Sequence, residues 1–461
     1  MYKADTIIAP ATAGGRAAVA IVRMSGPEAF AIAAQILRLV SRAQPRPWTL
    51  HRSIAVDPAS DEPLDEVLAV WMPAPRTYTG EDLVEIHCHG SPLIVESVIG
   101  AATRAGARPA DRGEFTRRAV LNGRMDLAQA EAVADLVDAR VRGGARLAWE
   151  QLQGGLSRRL RSIRDAIIGV LSDIEANVDF SDDDLPEENT VPRIEALEAA
   201  RDEVAGMLDG FIAARRWREG YRVVFTGRPN VGKSSLVNAL LGYGRMIVSE
   251  EPGTTRDAVE EMVDLGGCAF VLTDTAGVRE SASEAEMRAV DRAREKLAQA
   301  DIVIHVFDVR AQTTVLDDGE LLPASDAKHL VVLNKCDLLP HAGIDEIPGK
   351  GPDWTQAVIR TSARTGEGCD ALAAALVSIA CDEGEELHEA PTNISRVRHR
   401  SALEEAHKGI SSALELLHHG GAPELVSIEI RTALGHLAAI TEPLNNDEVL
   451  DRIFKDFCIG K

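Results

Sequence analysis

Residues 221–241 read YRVVFTGRPNVGKSSLVNALL, and the fold turns on them. An apolar run, Arg222–Thr226, has strand character. It leads into Gly227-Arg228-Pro229-Asn230-Val231-Gly232-Lys233-Ser234, and a helical pattern opens at Ser235–Leu241. The central octet is G-x-x-x-x-G-K-[ST], set between a strand and a helix as that motif requires. Its glycines let backbone N–H groups wrap phosphate oxygens at a helix N-terminus. Lys233 brings a point charge to the β and γ phosphates, and the Ser234 hydroxyl is a ligand for Mg²⁺.

Working outward, four more strand-like runs alternate with helical patterns: Ala269–Thr273, Ile302–Phe307, Leu330–Leu333 and Val358–Thr361. Such alternation predicts a mostly parallel sheet with helices on both faces. Three of these runs end in residues suited to one ligand. Asp274-Thr275-Ala276-Gly277 offers a carboxylate to Mg²⁺ through water and a Gly277 N–H to the γ-phosphate. Asn334-Lys335-Cys336-Asp337 ends in a carboxylate that can accept two hydrogen bonds from guanine N1–H and N2–H₂, a donor pair that adenine lacks. Ser362-Ala363-Arg364 fits a backbone contact to guanine O6. The intervening loop Ser249-Glu250-Glu251-Pro252-Gly253-Thr254-Thr255-Arg256-Asp257 supplies a switch threonine, Thr255, to complete the Mg²⁺ shell. Together with Asn230, Val231, Gly232, Lys233, Ser234 and Ser235, these stretches form the expected nucleotide site, at the carboxyl edge of the sheet where open α/β folds bind ligands. The chemistry is attack of water on the γ-phosphate of GTP.

Val278 follows the Asp-Thr-Ala-Gly stretch, where a water-orienting Gln would stand in Ras-like enzymes. Another group must then place the water and neutralise transition-state charge. Asn230 is a candidate ligand for a monovalent cation beside the β and γ phosphates. Glu286 reads two ways, as a group orienting the water through a second water or as a solvated helix carboxylate.

Around this core, residues 1–122 read as mixed α/β, with strands at Ala18–Arg23, Val67–Trp71 and Leu83–Ile86 and helices at Pro27–Leu39 and Pro92–Ala105. Residues 123–216 carry apolar positions at helical spacing (Leu152, Leu156, Leu160, Ile163, Ile167, Leu171, Ile174), the mark of long amphipathic helices. Residues 217–382 hold the nucleotide motifs, and helical character returns over 383–461. The expected architecture is a multidomain chain: an N-terminal α/β domain, then a long-helix domain into which a Ras-like P-loop domain is inserted. The net charge of −22 argues against non-specific nucleic-acid binding by the whole surface, so no DNA partner is expected. No apolar run of membrane-spanning length and no secretory signal is present. Six cysteines without a C-x-x-C pair point to a reduced, cytoplasmic protein.

Several stretches outside the GTPase motifs carry a resemblance: Asp5-Thr6-Ile7-Ile8-Ala9, Tyr78-Thr79-Gly80-Glu81-Asp82, Glu85-Ile86-His87-Cys88-His89-Gly90, Gly113-Glu114-Phe115-Thr116, Asp126-Leu127-Ala128-Gln129-Ala130-Glu131-Ala132 and the terminal Phe457-Cys458-Ile459-Gly460-Lys461. With the domain order, they make the whole chain resemble the tRNA modification GTPase MnmE (TrmE) family. The resemblance implies that the chain works with a flavoprotein partner, MnmG, which alone carries FAD. The pair would install a carboxymethylaminomethyl or aminomethyl group at C5 of the wobble uridine of certain tRNAs. A tetrahydrofolate (5-formyl- or 5,10-methylene-) would supply the one-carbon unit. It also implies a homodimer made by the N-terminal domain and K⁺-dependent pairing of the GTPase domains. The implied folate contacts are Arg23, Glu81, Arg124 and Lys461, with Arg124 standing where the family often has Lys. The implied K⁺ ligands are Asn230, Ser249, Glu251 and Thr254, and Glu286 aligns with a water-positioning glutamate. Cys458 has two readings, a thiol of the modification site or a small anchor of the tail. His87 and His89 share a strand face with no third metal ligand in view.

Arginine clusters give tRNA a local route despite the acidic total: Arg112, Arg117, Arg118 and Arg124; Arg158, Arg159, Arg161 and Arg164; Arg396, Arg398 and Arg400. The alternative function is an RNA-binding ribosome-assembly or stress-switch GTPase without modification activity. The same nucleotide motifs would serve it, but it has no need of the folate elements or the Cys-x-Gly-Lys tail.

Overall fold

A computed structural model describes residues 5–41, 44–179, 190–247, 260–274, 295–310, 327–339, 355–389, 394–442, 447–455 and 457–460. The chain divides into two compact units. One comprises Met1–Val137, Gln151–Phe180 and Ala422–Lys461, the other Asp138–Glu150 and Ser181–Gly421.

The first unit is built on a seven-stranded sheet. Its strands are β1 (Ile7–Pro10), β2 (Ala17–Ser25), β3 (Leu37–Leu39), β4 (His51–Val56), β5 (Pro63–Met72), β6 (Leu83–Gly90) and β7 (Arg108–Pro109), in the order β3-β4-β5-β6-β2-β1-β7. Pairing is antiparallel except between β1 and β7. Alternating residues of the strands (Val22, Met24, Ala69, Trp71, Val84, Ile86) form one buried face. The helices Ala29–Ile36 and Pro92–Arg104 cover it with Ile32, Ile36, Val98 and Ala101, as the period-2 and period-3.6 patterns require. The first helix stops at Ile36, short of the expected Leu39. Leu37 turns extended (φ −121°, ψ 131°), and Leu37–Leu39 pair with Ser53–Ala55 as an edge strand. A non-local ladder thus overrides the helix propensity of Leu-Arg-Leu.

The Gly155–Asp179 helix presents Leu156, Leu160, Ile163, Ile167 and Ile174 as a buried stripe. It packs along the Pro423–Thr441 helix, which contributes Val426, Ile430, Ala433, Leu437 and Ile440. Two ion pairs flank the seam, Arg431–Glu175 and Arg164–Glu442, both at 2.6 Å.

The second unit carries another seven-stranded sheet: β8 (Tyr221–Thr226), β9 (Arg245–Ile247), β10 (Glu260–Leu265), β11 (Cys268–Asp274), β12 (Ile302–Asp308), β13 (Lys328–Asn334) and β14 (Thr355–Arg360). Their order is β14-β13-β12-β8-β11-β10-β9. The first five strands of that order run parallel, and β10 and β9 close the edge antiparallel. Four of the parallel strands contain the runs expected for them and extend them by up to a few residues, while β14 starts three residues before the expected Val358–Thr361 and ends one residue short of it. The helices Lys233–Tyr243 and Cys369–Glu389 bury Leu236, Leu240, Leu372 and Leu376 against one face of the sheet. Val191–Asp209 pairs with Val397–His418 through Leu197, Val204 and Met207, Leu403 and Ile410. Chain enters β8 through the Phe211–Glu219 helix, whose Arg215 and Arg216 both bind the buried Asp301 carboxylate, at 3.1 and 2.8 Å. Gly143 sits against the Trp217 ring so closely that a Cβ there would lie 1.5 Å from it.

Candidate nucleotide site and an N-terminal ionic cluster

Parallel strands point their carboxyl ends one way, so Thr226, Asp274, Asp308 and Asn334 gather at one edge of the second sheet. The loop after β8 is shaped by three left-handed residues: Gly227 (φ 143°), Asn230 (φ 65°) and Gly232 (φ 100°). Two of these glycines are obligatory on contact as well as conformation. A Cβ on Gly227 would meet the Val306 carbonyl oxygen at 2.3 Å, and one on Gly232 would meet Asn334 Nδ2 at 2.3 Å. Lys233 opens the helix and is buried. Its Nζ donates to the Gly227 and Arg228 carbonyls at 2.7 and 3.2 Å. Burial pulls its pKa below the usual lysine value, while the Asp274 charge opposes that shift. The Ser234 hydroxyl donates to Asp274 Oδ2. Motifs from two strand ends thus converge as a hydroxyl and a carboxylate, the hard-oxygen donor set that suits Mg²⁺.

The end of β13 is tied to the loop after β8. Asn334, buried, donates through Nδ2 to the Val231 carbonyl (2.9 Å) and accepts at Oδ1 from the Ala363 N–H (3.1 Å). Lys335 is left-handed (φ 67°) and donates through Nζ to the Asn230 carbonyl at 2.6 Å. The Asp337 carboxylate accepts from Ser362 Oγ at 2.7 Å, and that hydroxyl accepts in turn from the Thr365 N–H at 3.2 Å. The structure therefore brings Asn230, Val231, Gly232, Lys233, Ser234, Asp274, Asn334, Lys335, Asp337, Ser362 and Ala363 into one edge region. Ser235 follows on the helix and Arg364 on the loop. Ser249, Glu250, Glu251, Pro252, Gly253, Thr254, Thr255, Thr275, Ala276, Gly277 and Glu286 lie outside the described residues.

Sequence reasoning missed Asp308. Its carboxylate ends β12 and forms an ion pair with Lys335 at 2.8 Å and another with Arg310 at 2.7 Å. Hydrogen bonds from Arg310, then Lys335, outweigh the opposing effect of burial and hold it well below the usual carboxylate range. Its only sequence signal is an acid at a strand's carboxyl end, a common occurrence.

In the first unit, three of the implied folate contacts, Arg23, Glu81 and Arg124, gather around the loop 77–82. Arg23 lies over the Tyr78 and Phe115 rings (5.4 and 5.9 Å to the centroids) and forms an ion pair with Glu85 at 2.8 Å. Glu81 accepts from Ser25 Oγ at 2.7 Å and from Arg118 Nη1 at 3.2 Å, and burial raises its pKa against the pull of Arg118. Arg124 is exposed and donates to the Thr77 carbonyl at 3.0 Å. Lys461 lies outside the described residues, but Gly460 (φ 94°) is pressed onto the end of β1, where a Cβ would be 1.9 Å from the Pro10 carbonyl oxygen. Pro10 and Ala9 pair with Val22 and Arg23, so the tail lies beside the strand that carries Arg23. Within the tail, Phe457 is buried with Phe454 and Leu127, while Cys458 is exposed.

One arginine does not take the surface role expected of it. Arg118, one of the N-terminal arginines that the sequence offers to tRNA, is only 1% exposed. Its guanidinium is spent on Asp5 (2.6 Å), Glu114 (3.0 Å) and Glu81. Arg108 completes this cluster through Asp5 and Glu114. Others among those arginines are neutralised locally, Arg117 by Asp451 and Arg400 by Glu404. His87 and His89 share a face of β6, and His89 binds Asp65 at 2.7 Å. Among the described residues no group of three metal-binding side chains is assembled, and no helix is long and apolar enough to cross a membrane.

Comparison with known proteins is consistent across the chain's length. Residues 6–124 match the family model described as GTP-binding protein TrmE N-terminus, and residues 127–458 match the MnmE helical domain. A curated relative from Heliobacterium modesticaldum, named tRNA modification GTPase MnmE, is 40% identical with 99% of each chain covered. Relatives of the same name from Rhodospirillum rubrum and Chloroflexus aurantiacus are 43% and 41% identical. They cover 99% of this chain and 99% and 100% of their own.

Proposed function

The chain belongs to the tRNA modification GTPase MnmE family, and from that premise we propose that its GTPase cycle serves modification of the tRNA wobble uridine with a tetrahydrofolate and a flavoprotein partner, MnmG. The observation that carries this reading is the coexistence in one chain of the guanine-nucleotide edge of the second sheet and the Arg23 and Glu81 side-chain cluster with the tail seated beside it. A carboxylate and cations suit the pterin donors and the carboxylates of a folate. The product is a carboxymethylaminomethyl or aminomethyl group at C5. The reading includes a cytoplasmic homodimer formed through the N-terminal domain. It also keeps the domain limits 1–122, 123–216, 217–382 and 383–461.

At the nucleotide site the residues act as positioning and electrostatic groups, which is most of what phosphoryl transfer asks of a protein. Loop N–H groups and Lys233 hold the β and γ phosphates, and the Asp337 carboxylate selects guanine. Ser234, Thr255 and, through water, Asp274 would hold Mg²⁺, which when bound neutralises charge developing on the phosphates. Asn230, Ser249, Glu251 and Thr254 would hold K⁺ in place of an arginine finger, and Glu286 would orient the water through a second water. Equal GTP hydrolysis rates in K⁺ and Na⁺ would sink the cation assignment.

The deciding experiment is mass spectrometry of tRNA nucleosides from the source strain with the gene deleted, and after complementation with the wild-type or the Cys458→Ser copy. Loss of the C5-modified wobble uridine, restored by the wild-type copy, is expected. The Cys458→Ser copy then separates a chemical thiol from a merely exposed one. An unchanged uridine with disturbed ribosome profiles would overturn the folate and MnmG assignments in favour of the ribosome-assembly reading.

A further inference from the structure

We propose that Asp308 is a positioning residue of the GTP site, acting through Lys335 to fix the backbone of the phosphate loop at Asn230. The inference rests on GTP binding at this edge and is independent of the tRNA chemistry. Two non-glycine residues of the site, Asn230 and Lys335, hold left-handed backbones, at φ 65° and 67°. Such residues carry strain that persists only where the surroundings hold it in place. Here one ammonium joins them: Lys335 Nζ donates to the Asn230 carbonyl at 2.6 Å. On its way the side chain runs beside Gly232, where even a Cβ would be in ordinary contact with Lys335 Cε, at 4.0 Å. An ammonium left to itself would hydrate and swing on its four-carbon stem. Asp308 Oδ2 prevents this by accepting from the same Nζ at 2.8 Å.

Asp308 is itself immobilised. Its Oδ1 accepts from the Arg310 N–H and Arg310 Nε, both at 3.0 Å, and its Oδ2 accepts from Arg310 Nη2 at 2.7 Å. A two-pronged guanidinium on one side leaves the carboxylate one orientation, with a lone pair toward Lys335. The chain of command thus runs from β12 through Asp308 to Lys335 after β13, and then to the loop after β8. Asp308 touches no part of the nucleotide in this scheme. It works by presetting the loop whose N–H groups must face the phosphates, and such presetting raises affinity by lowering the ordering cost of binding.

The rival explanation is local: Asp308 only caps the 308–310 turn through Arg310. Dissociation of a fluorescent GDP from the full-length protein distinguishes the two, measured for Asp308→Asn, Lys335→Met, their double variant and Arg310→Ala. Positioning predicts that Asp308→Asn speeds dissociation about tenfold, as for loss of a charged hydrogen bond. The double variant should be no faster than Lys335→Met alone, because both changes cut one chain of contacts. Arg310→Ala, which leaves the Asp308–Lys335 contact in place but frees the carboxylate to turn, should speed dissociation by less than Asp308→Asn, about threefold. Melting temperature without nucleotide reports any purely structural damage, and Arg310→Ala keeps the test open should Asp308→Asn fail to fold. Additive effects of Asp308→Asn and Lys335→Met, or an Arg310→Ala effect as large as that of Asp308→Asn, would overturn the proposal.

Discussion

Replacing Gly232 with Ala probes the contact between the loop after β8 and the end of β13. The new methyl would sit 2.3 Å from Asn334 Nδ2, at a residue with φ 100°. Backbone strain for an L-residue in left-handed space costs about 1–2 kcal/mol. The amide must also withdraw, losing its 2.9 Å bond to the Val231 carbonyl and leaving buried polar groups unsatisfied, for about 1–3 kcal/mol more. The total, about 3 kcal/mol, corresponds to roughly 150-fold weaker GDP binding. Equilibrium titration with a fluorescent GDP reads this directly. The two contributions separate in an Asn334→Ala background, where the clash is gone and only the backbone strain remains. There Gly232→Ala should cost only about tenfold relative to Asn334→Ala alone. Binding by Gly232→Ala within about threefold of wild type would refute the reasoning, as would an undiminished penalty in the Asn334→Ala background.

Three further outcomes follow from other parts of the molecule. His305 is 3% exposed, with Nε2 3.1 Å from His329 Nδ1. Burial, then the neighbouring imidazole, push its pKa down to about 4. The folded state favours the neutral ring, so its contribution to stability is complete above the ordinary histidine pKa of about 6.5 and is lost as pH falls toward 4. The ring resonances in NMR should stay fixed from pH 8 to about 5.5, and a midpoint near 6.5 would contradict the burial argument. In the Asp5–Glu81–Glu114 cluster, burial pushes Asp5 and Glu114 upward but hydrogen bonds, led by Arg108, outweigh it, whereas burial wins at Glu81. Asp5 and Glu114 therefore stabilise the fold above pH 4.5 and lose that effect as pH falls through their lowered pKa values, with Glu81 acting in the opposite sense. Arg118→Met, which leaves these carboxylates without their buried cation, should cost about 3–5 kcal/mol at pH 7 and flatten the acid limb in urea unfolding. Gly460→Ala should dislodge the tail, since its Cβ would lie 1.9 Å from the Pro10 carbonyl oxygen. Hydrogen exchange at the Gly113 amide, which donates to the Cys458 carbonyl, should quicken while GTP hydrolysis stays within about twofold of wild type. An unchanged Gly113 amide would show that the tail is not held there.

The parts of the nucleotide site that the sequence makes legible are contiguous. A phosphate cradle needs successive N–H groups followed by Lys233 and Ser234, so the requirement is written in one octet. Asp337 is legible for a similar reason, because it follows Asn334 and Lys335 at a strand end. Asp308 was not legible, because Lys335, the partner that ties it to the site, meets it only through the parallel register of β12 with β13. Arg118 misled for the same reason in reverse. Its neighbours Arg112 and Arg117 made it look like part of a basic surface. Its burial is set by Asp5 and Glu81, and Asp5 lies 113 residues away in sequence. The Leu37–Leu39 edge strand depends on partners at Ser53–Ala55 and carries no local sign that the helix must stop. Patterns with local causes were readable, and those set by distant pairing were not.

The seam between the Gly155–Asp179 and Pro423–Thr441 helices has a consequence for how the chain folds. Roughly 240 residues separate the two helices, and nearly all of them belong to the nucleotide-binding unit. Joining the helices across an unstructured segment of that length means closing a very long loop. Once the intervening unit has folded, the same closure acts on a far shorter effective tether. At about 0.6 kcal/mol for each halving of length, four to five halvings amount to about 2.5 kcal/mol. The first unit therefore draws part of its stability from connectivity alone. A substitution that unfolds the GTP-binding unit weakens its companion without touching any residue of it, and a nucleotide that tightens the former shelters the latter from degradation.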